Sequence, residues 1–450
     1  MGQPNILFMI ADDHRFDAIR ARGNETVHTP NLDRLMAEGT CMTHTYIMGS
    51  TSGAVCMPSR GMLLTGRSLF HAADRGDGRW KYPIPDRYPL LPEVFHQAGY
   101  TTYGIGKWHN ERETFARCFE GGSKIFFGGM SDHDKVPTYD FDPTGEYPPE
   151  KQYIGENFST EMFGDAAIDF LNNYEDEKPF FLYTAFTAPH DPRTPPPEFA
   201  ALYSPADIPV PENFLTEHPF DNGELAVRDE KLAPHPRTPE VVQQHIADYY
   251  GMISHMDAKI GQILQALEDN GLADNTIVVY TVDHGLAVGQ HGLMGKQNLY
   301  DHSMRVPLIV RGPGVPQGAQ RSALCYMYDI NPTLCEMAGI PVPATVEGQS
   351  LLPVIQGEKA AHRSQIFSAY QNVMGDTDQY QRMVREGRYK LIEYFVDGDR
   401  NTQLFDLEDD PRETRNLAGD AQYEPQLQHL RQVLDEWRHR LDDPTLESLS

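Results

Sequence analysis

The sequence predicts an α/β protein. A large, mainly parallel sheet flanked by helices occupies residues 1–360, and a small C-terminal unit, 361–450, adds an antiparallel sheet and a last helix. Three observations carry this reading. Four short, continuous apolar runs each stop abruptly at polar residues, as strands buried on both faces of a parallel sheet do. Amphipathic helical patterns lie between the runs. After about residue 360 the pattern changes to short strand-like runs separated by tight turns.

Taken in order, Asn5–Ala11 runs into Asp12-Asp13-His14, and Thr101–Ile105 into Gly106-Lys107-Trp108-His109. Pro179–Phe186 leads to Ala188-Pro189-His190-Asp191, and Thr276–Val282 to Asp283-His284-Gly285. Open α/β sheets bind ligands beyond the carboxyl ends of their strands, so the polar clusters converge on one edge. A helix opens at Thr29-Pro30, with Thr29 suited to the N-cap, reads through Leu32, Leu35 and Met36, and stops at Gly39. Others are predicted over Leu91–Ala98, about Pro239–Asn270 and Asp329–Ala338, each followed by glycine. Residues 110–158 and 191–238, rich in Gly, Pro, Asp and Tyr, read as long surface loops. In the C-terminal unit, strands are expected at Gln365–Tyr370, Gln381–Arg385, Tyr389–Tyr394 and Gln403–Asp406. The turns fall at Gly387 and Asp397-Gly398, and a helix near Glu424–Leu441 ends the fold.

Bulk properties narrow the function. A formal net charge of −27 argues against a nucleic-acid partner, which needs a basic surface. An anionic substrate must then be drawn in by a local positive pocket. Five cysteines, at 41, 56, 118, 325 and 335, form no C-x-x-C pair, so neither a disulfide framework nor a thiolate zinc site is expected. No apolar run is long enough to span a membrane. A strand starting near Pro4 leaves no room for a leader, so the sequence as written reads as cytoplasmic. It reads as periplasmic or secreted if a leader precedes it.

The most informative stretch is Cys56-Met57-Pro58-Ser59-Arg60-Gly61-Met62-Leu63-Leu64-Thr65-Gly66-Arg67. It sets a thiol one turn ahead of an arginine at the start of a short helix, where Pro58 suits the first turn. Helix N-termini favour negative charge and lower a cysteine's pKa. A nucleophile precursor, a fixed guanidinium and a positive helix end together suit an anion. Asp12, Asp13 and Asp283 meet at the same sheet edge, and three carboxylates that close call for a hard divalent cation. His284 follows directly as a fourth protein ligand.

The Cys56 run matches C-x-P-S-R-x-x-L-L-T-G and resembles the signature of the type I sulfatases of the alkaline-phosphatase superfamily. The resemblance extends to Asp12-Asp13, Gly106-Lys107-Trp108-His109, Pro189-His190, Asp283-His284-Gly285, Gly295-Lys296 and the strand after Tyr300. It implies that a maturation enzyme oxidises Cys56 to formylglycine, the working nucleophile. Ca²⁺ would be held by Asp12, Asp13, Asp283, His284 and residue 56, with Mn²⁺ or Mg²⁺ left open by the imidazole. Arg60 and His109 would hold the nucleophile's hydrated form. Lys107 and Lys296 would bind sulfate oxygens, and His190 would touch sulfate and protonate the leaving alcohol. These residue types suit the chemistry. A sulfate monoester is anionic and leaves a poor alkoxide, so cations at its oxygens and a proton for the leaving group lower the barrier. A serine would be left with a sulfate ester as stubborn as the substrate, whereas a hydrated aldehyde has a second hydroxyl with which to expel sulfate.

The function expected is therefore removal of sulfate from a sulfated sugar or oligosaccharide. The alternatives are a phosphonate or phosphate ester hydrolase of the same superfamily and a non-catalytic binding protein on the same scaffold. His71, Arg75, Arg79 and Trp80 read equally as a sugar-pocket wall and as a polar surface loop.

Overall fold

A computed structural model describes residues 2–74, 81–373, 376 and 378–446. The apolar runs form strands buried along their whole length: β1 (Asn5–Ala11) shows no exposed residue, and its neighbours match it. The other strands are β2 (Thr40–Tyr46), β3 (Gly49–Ser50), β4 (Thr101–Lys107), β5 (Gly121–Phe126), β6 (Pro137–Thr138), β7 (Tyr153–Ile154), β8 (Phe180–Ala185), β9 (Thr276–Val282), β10 (Arg305–Arg311) and β11 (Ala319–Tyr326). Then come β12 (Gln365–Gln371), β13 (Gln379–Glu386), β14 (Tyr389–Val396) and β15 (Asp399–Asp406).

The large sheet has the order β11-β2-β10-β9-β1-β8-β4-β5. All its pairings are parallel except those of β10, which runs against both β2 and β9. β1 lies at the centre, in register Ile6↔Phe181 with β8 and Ile6↔Ile277 with β9. This matches the fold class expected from the apolar runs.

Helices cover both faces. Pro239–Asp269 is the longest, and its Thr238 hydroxyl accepts from Val241 N–H as an N-cap. This helix also corrects one expectation. The Thr29 side chain does not cap helix Pro30–Glu38. Instead Asp257, from the long helix, accepts from Leu32 N–H at 2.7 Å and Asn31 N–H at 3.0 Å. Thr29 is occupied by Arg20 N–H and Asp33. Tertiary packing brought a better acceptor than the local residue.

The segment 110–158 is more than a loop. It holds helix Arg112–Cys118, the edge strand β5 and a ribbon of β6 with β7. The composition of β5, Gly-Gly-Ser-Lys-Ile-Phe, has no apolar run because an edge strand is only half covered. Residues 191–238 do form a long irregular segment with short helical turns.

The second sheet runs β15-β14-β13-β12-β3. β12 to β15 are antiparallel hairpins, as expected, while β3 joins β12 in parallel from the N-terminal part of the chain. The approach is so close that a Cβ on Gly49, at φ 89, would lie 2.0 Å from the Ala369 carbonyl oxygen. Helix Glu424–Arg440 packs on this sheet through Trp437, stacked on Phe367. The five cysteines are all free. Among the described residues no helix is long and apolar enough to cross a membrane.

Candidate active site

Four neighbouring strands, β9, β1, β8 and β4, end at one rim of the large sheet and deliver Asp283-His284, Asp12-Asp13, His190 and Lys107 with His109. Asp13 and His109 both take left-handed backbone, φ 67 and 56, just past their strands. Such a conformation is uncommon outside glycine and clusters at functional sites. Here it turns the chain sharply, so that consecutive residues face one space.

Helix Cys56–Thr65 approaches from the side and is buried throughout. Cys56 is its first residue, as the motif predicts. Gly66 ends it in the left-handed region, its N–H bonded to Met62 O. Ser59 Oγ donates to the Asp283 carbonyl. Arg60 Nε donates to Asp283 Oδ2 at 2.9 Å, and its Nη1 to the Lys107 carbonyl at 2.8 Å. Arg60 Nη2 is buried with no hydrogen-bond partner. Arg60 therefore ties the helix to two strand ends.

Cys56 Sγ lies 3.0 Å from His109 Nδ1. Lys107 Nζ pairs with Asp12 and donates to Gly129 O at 2.6 Å. Lys296 Nζ, from the segment after β9, donates to Asp13 Oδ1 at 2.8 Å. His190 Nε2 is 3.8 Å from Asp13 Oδ2. His284 Nδ1 is 3.1 Å from Asp13 Oδ1. Asp12, Asp13, Cys56, Arg60, Lys107, His109, His190, Asp283, His284 and Lys296 thus fall within one cluster, all buried except the partly buried His109.

Burial opposes ionisation of the Cys56 thiol, yet the charges on His109 and Lys107 outweigh it and hold the thiol well below its ordinary range. Burial also opposes charge on Asp12 and Asp283. Lys107 and His190 overcome this at Asp12, and His284 and Arg60 at Asp283, so both carboxyls are lowered. His284 goes the other way: against burial, Asp283 and Asp13 push it up to about 9. Lys296 is raised well above its usual value, with Asp13 and Asp229 outweighing burial.

The donor set fits a cation. Ligand atoms of Asp12, Cys56, Asp283 and His284 lie within 4.8 Å of one another, as do those of Asp12, Asp13 and His190. Asp12 Oδ1 and His284 Nε2 are buried without a hydrogen-bond partner. Buried polar atoms left unpaired are costly, and carboxylate oxygens suit a hard divalent ion.

Above the cluster lies a cavity of about 540 Å³, with Cys56, His109, His190 and Lys296 on its inner wall. Met130, Ala226, Val227, Arg228, Asp229 and Lys231 also line it. Sequence reasoning missed Asp191, Arg228 and Asp229 here. Arg228 holds Asp191 and Asp229 across the cavity edge. Asp191 could have been noticed beside His190, but nothing in the sequence marks Arg228. Two further expectations resolve differently. His71 bonds Glu347 at 3.0 Å and does not line this cavity. Arg75, Arg79 and Trp80 lie outside the described residues.

A family model for sulfatases matches residues 4–340. The chain belongs to the sulfatase family. A second model, for the C-terminal region of N-sulphoglucosamine sulphohydrolase, matches residues 289–440 of this sulfatase. It is 29% identical to an N-acetylglucosamine-6-O-sulfatase of Bacteroides thetaiotaomicron, over 98% of this chain and 87% of that one. It is 27% identical to the multifunctional alkaline phosphatase superfamily protein PehA of Trinickia caryophylli, over 99% and 97%. Among solved structures, one in complex with its substrate D-glucosamine-2-N,6-O-disulfate superposes with a TM-score of 0.80 at 27% identity, covering 99% of each chain. A phosphonate monoester hydrolase of Agrobacterium radiobacter shares the fold, with a TM-score of 0.78, 23% identity and coverage of 99% and 97%.

Proposed function

We propose that this sulfatase removes sulfate from a sulfated carbohydrate, with residue 56 as nucleophile. The observation that carries the reading is the position of Cys56 on the inner wall of a cavity it shares with His109, His190 and Lys296. A sulfated amino sugar is the substrate class, in keeping with two proteins it resembles, the N-acetylglucosamine-6-O-sulfatase and the structure bound to D-glucosamine-2-N,6-O-disulfate.

Each residue then has a task. Lys107 and Lys296, both buried, offset charge on the sulfate oxygens. Arg60 and His109 orient residue 56. His190 carries the proton for the departing sugar oxygen. Asp12, Asp13, Asp283 and His284, with residue 56, hold one divalent cation, Ca²⁺ in this reading. Such an ion supplies Lewis-acid polarisation of the sulfate. Formylglycine at position 56, made from Cys56 by a separate maturation enzyme, supplies the hydrated aldehyde as nucleophile.

A second reading, phosphonate or phosphate ester hydrolysis, draws on Asp283-His284 and on the likeness to PehA. One panel separates the two. Enzyme whose residue 56 is verified by mass spectrometry is offered sulfated mono- and oligosaccharides beside phosphate and phosphonate esters. Preferential release of sulfate from glucosamine 6-sulfates supports the first reading. A preference for phosphonate esters overturns it, and inertness on all of them leaves a binding protein on this scaffold.

A further inference from the structure

The His190 ring is held from its Nδ1 side. His190 Nδ1 lies 2.8 Å from the Asp191 carbonyl oxygen and 3.3 Å from Asp191 Oδ1. Neither oxygen can donate, so Nδ1 must carry a hydrogen. That leaves Nε2, 3.8 Å from Asp13 Oδ2, as the nitrogen free to serve the substrate. The main chain here is fixed as well, because His133 Nε2 donates to the His190 carbonyl at 2.9 Å, and His133 Nδ1 contacts Ser159 Oγ at 2.8 Å.

Asp191 is itself clamped. Arg228 Nη1 pairs with Asp191 Oδ2, and Nη2 donates to Oδ1 at 3.0 Å and to Asp229 Oδ1 at 2.6 Å. A forked guanidinium on both carboxylate oxygens fixes their plane. Asp191 is buried, whereas Arg228 is 45% exposed at the edge of the cavity. The clamp therefore links a segment that lines the cavity to the His190 ring.

We propose that Asp191 is the positioning residue for His190, and that Arg228 holds Asp191 in place for that task. The proposal rests on the sulfatase reading. In turnover the sulfuryl group passes to the ionised oxygen of residue 56 as the bond from sulfur to the sugar oxygen breaks. The bonding pair stays on the sugar oxygen, which takes the proton from His190 Nε2. Neutral imidazole remains, its Nδ1 hydrogen still directed at Asp191. The contact from Nδ1 to Asp191 keeps Nε2 aimed during the step.

The test compares leaving groups. A sugar alkoxide needs the proton, whereas 4-nitrophenolate leaves without it. For Asp191→Asn we expect kcat on glucosamine 6-sulfate to fall about 100-fold, with KM within about 3-fold. On 4-nitrophenyl sulfate kcat should change by less than about 3-fold. Arg228→Gln, a change at an exposed side chain, should give the same pattern at about 10-fold. Equal losses on both esters in either variant, or no loss on the sugar ester, overturn the inference while leaving the sulfatase reading intact. Failure of fully converted wild-type enzyme to cleave either ester sinks that reading and the inference with it.

Discussion

Lys296 Nζ lies 2.8 Å from Asp13 Oδ1, and both side chains are buried. This pairing brings a cation from the segment after β9 to the carboxylate that follows β1. Lys296→Ala should lower kcat about 100- to 1000-fold, since a neutral residue cannot offset sulfate charge. Turnover near the wild-type rate, in a variant with an unchanged melting profile, removes Lys296 from the mechanism.

Cys56 yields the sharpest prediction. A thiol has no second hydroxyl with which to expel sulfate. Activity across preparations should therefore rise in proportion to the fraction of formylglycine measured by peptide mass spectrometry. Cys56→Ser made without a suitable maturation enzyme should be nearly inactive. Full sulfatase activity with only unmodified cysteine would falsify the proposed chemistry.

Chelation probes the carboxylate cluster. Exhaustive removal of divalent ions should abolish sulfate release and lower the melting temperature, because an ion bound only by the folded state stabilises it. Ca²⁺ should restore both. Unaltered activity after chelation counts against the metal, and restoration by Mn²⁺ alone favours the ester-hydrolase alternative.

His71 and Glu347 make a pH-dependent contact remote from the cluster. The Glu347 hydrogen bond raises His71 above its ordinary value, outweighing burial. Burial opposes ionisation of Glu347, but His71, Ser68 and Arg67 pull it down to about 2. The His71 contribution is then fully present below about pH 6.5 and is lost as pH rises through the folded value, while Glu347 stays ionised. The stability gap between wild type and His71→Gln should be about 1 kcal/mol below about pH 6.5 and should shrink as pH rises. Urea midpoints across that range measure it. A gap that widens with pH contradicts the assignment.

Gly106 precedes Lys107 at a bulge in the β4–β5 pairing. Its φ is 83, and a Cβ there would lie 2.0 Å from the Ala185 carbonyl oxygen. Gly106→Ala should cost at least about 2 kcal/mol and displace Lys107. Calorimetry together with kcat would show both effects. A stable, fully active variant would mean that the strand pair yields easily.

The sequence revealed the site because the strands that carry it are buried on both faces. Asp12, Lys107, His190 and Asp283 stand just where continuous apolar runs stop, and such runs are easily seen. β2 and β11 escaped notice because Thr40–Tyr46 and Ala319–Tyr326 mix polar and apolar residues without a clear period. The Asp257 cap and the Arg228 clamp escaped for another reason. Both join residues dozens to hundreds of positions apart, and no local pattern encodes which side chain arrives from elsewhere in the fold.

The parallel pairing of β3 with β12 means that the chain reaches Cys56 by way of the C-terminal sheet. Only residues 51–55 separate that pairing from the nucleophile. The hairpins at 365–406 therefore anchor the entrance to the catalytic helix, and loosening them slackens the tether that sets where Cys56 sits. A polypeptide cut near residue 360 would keep every reactive side chain yet lose the seam that holds one of them in place.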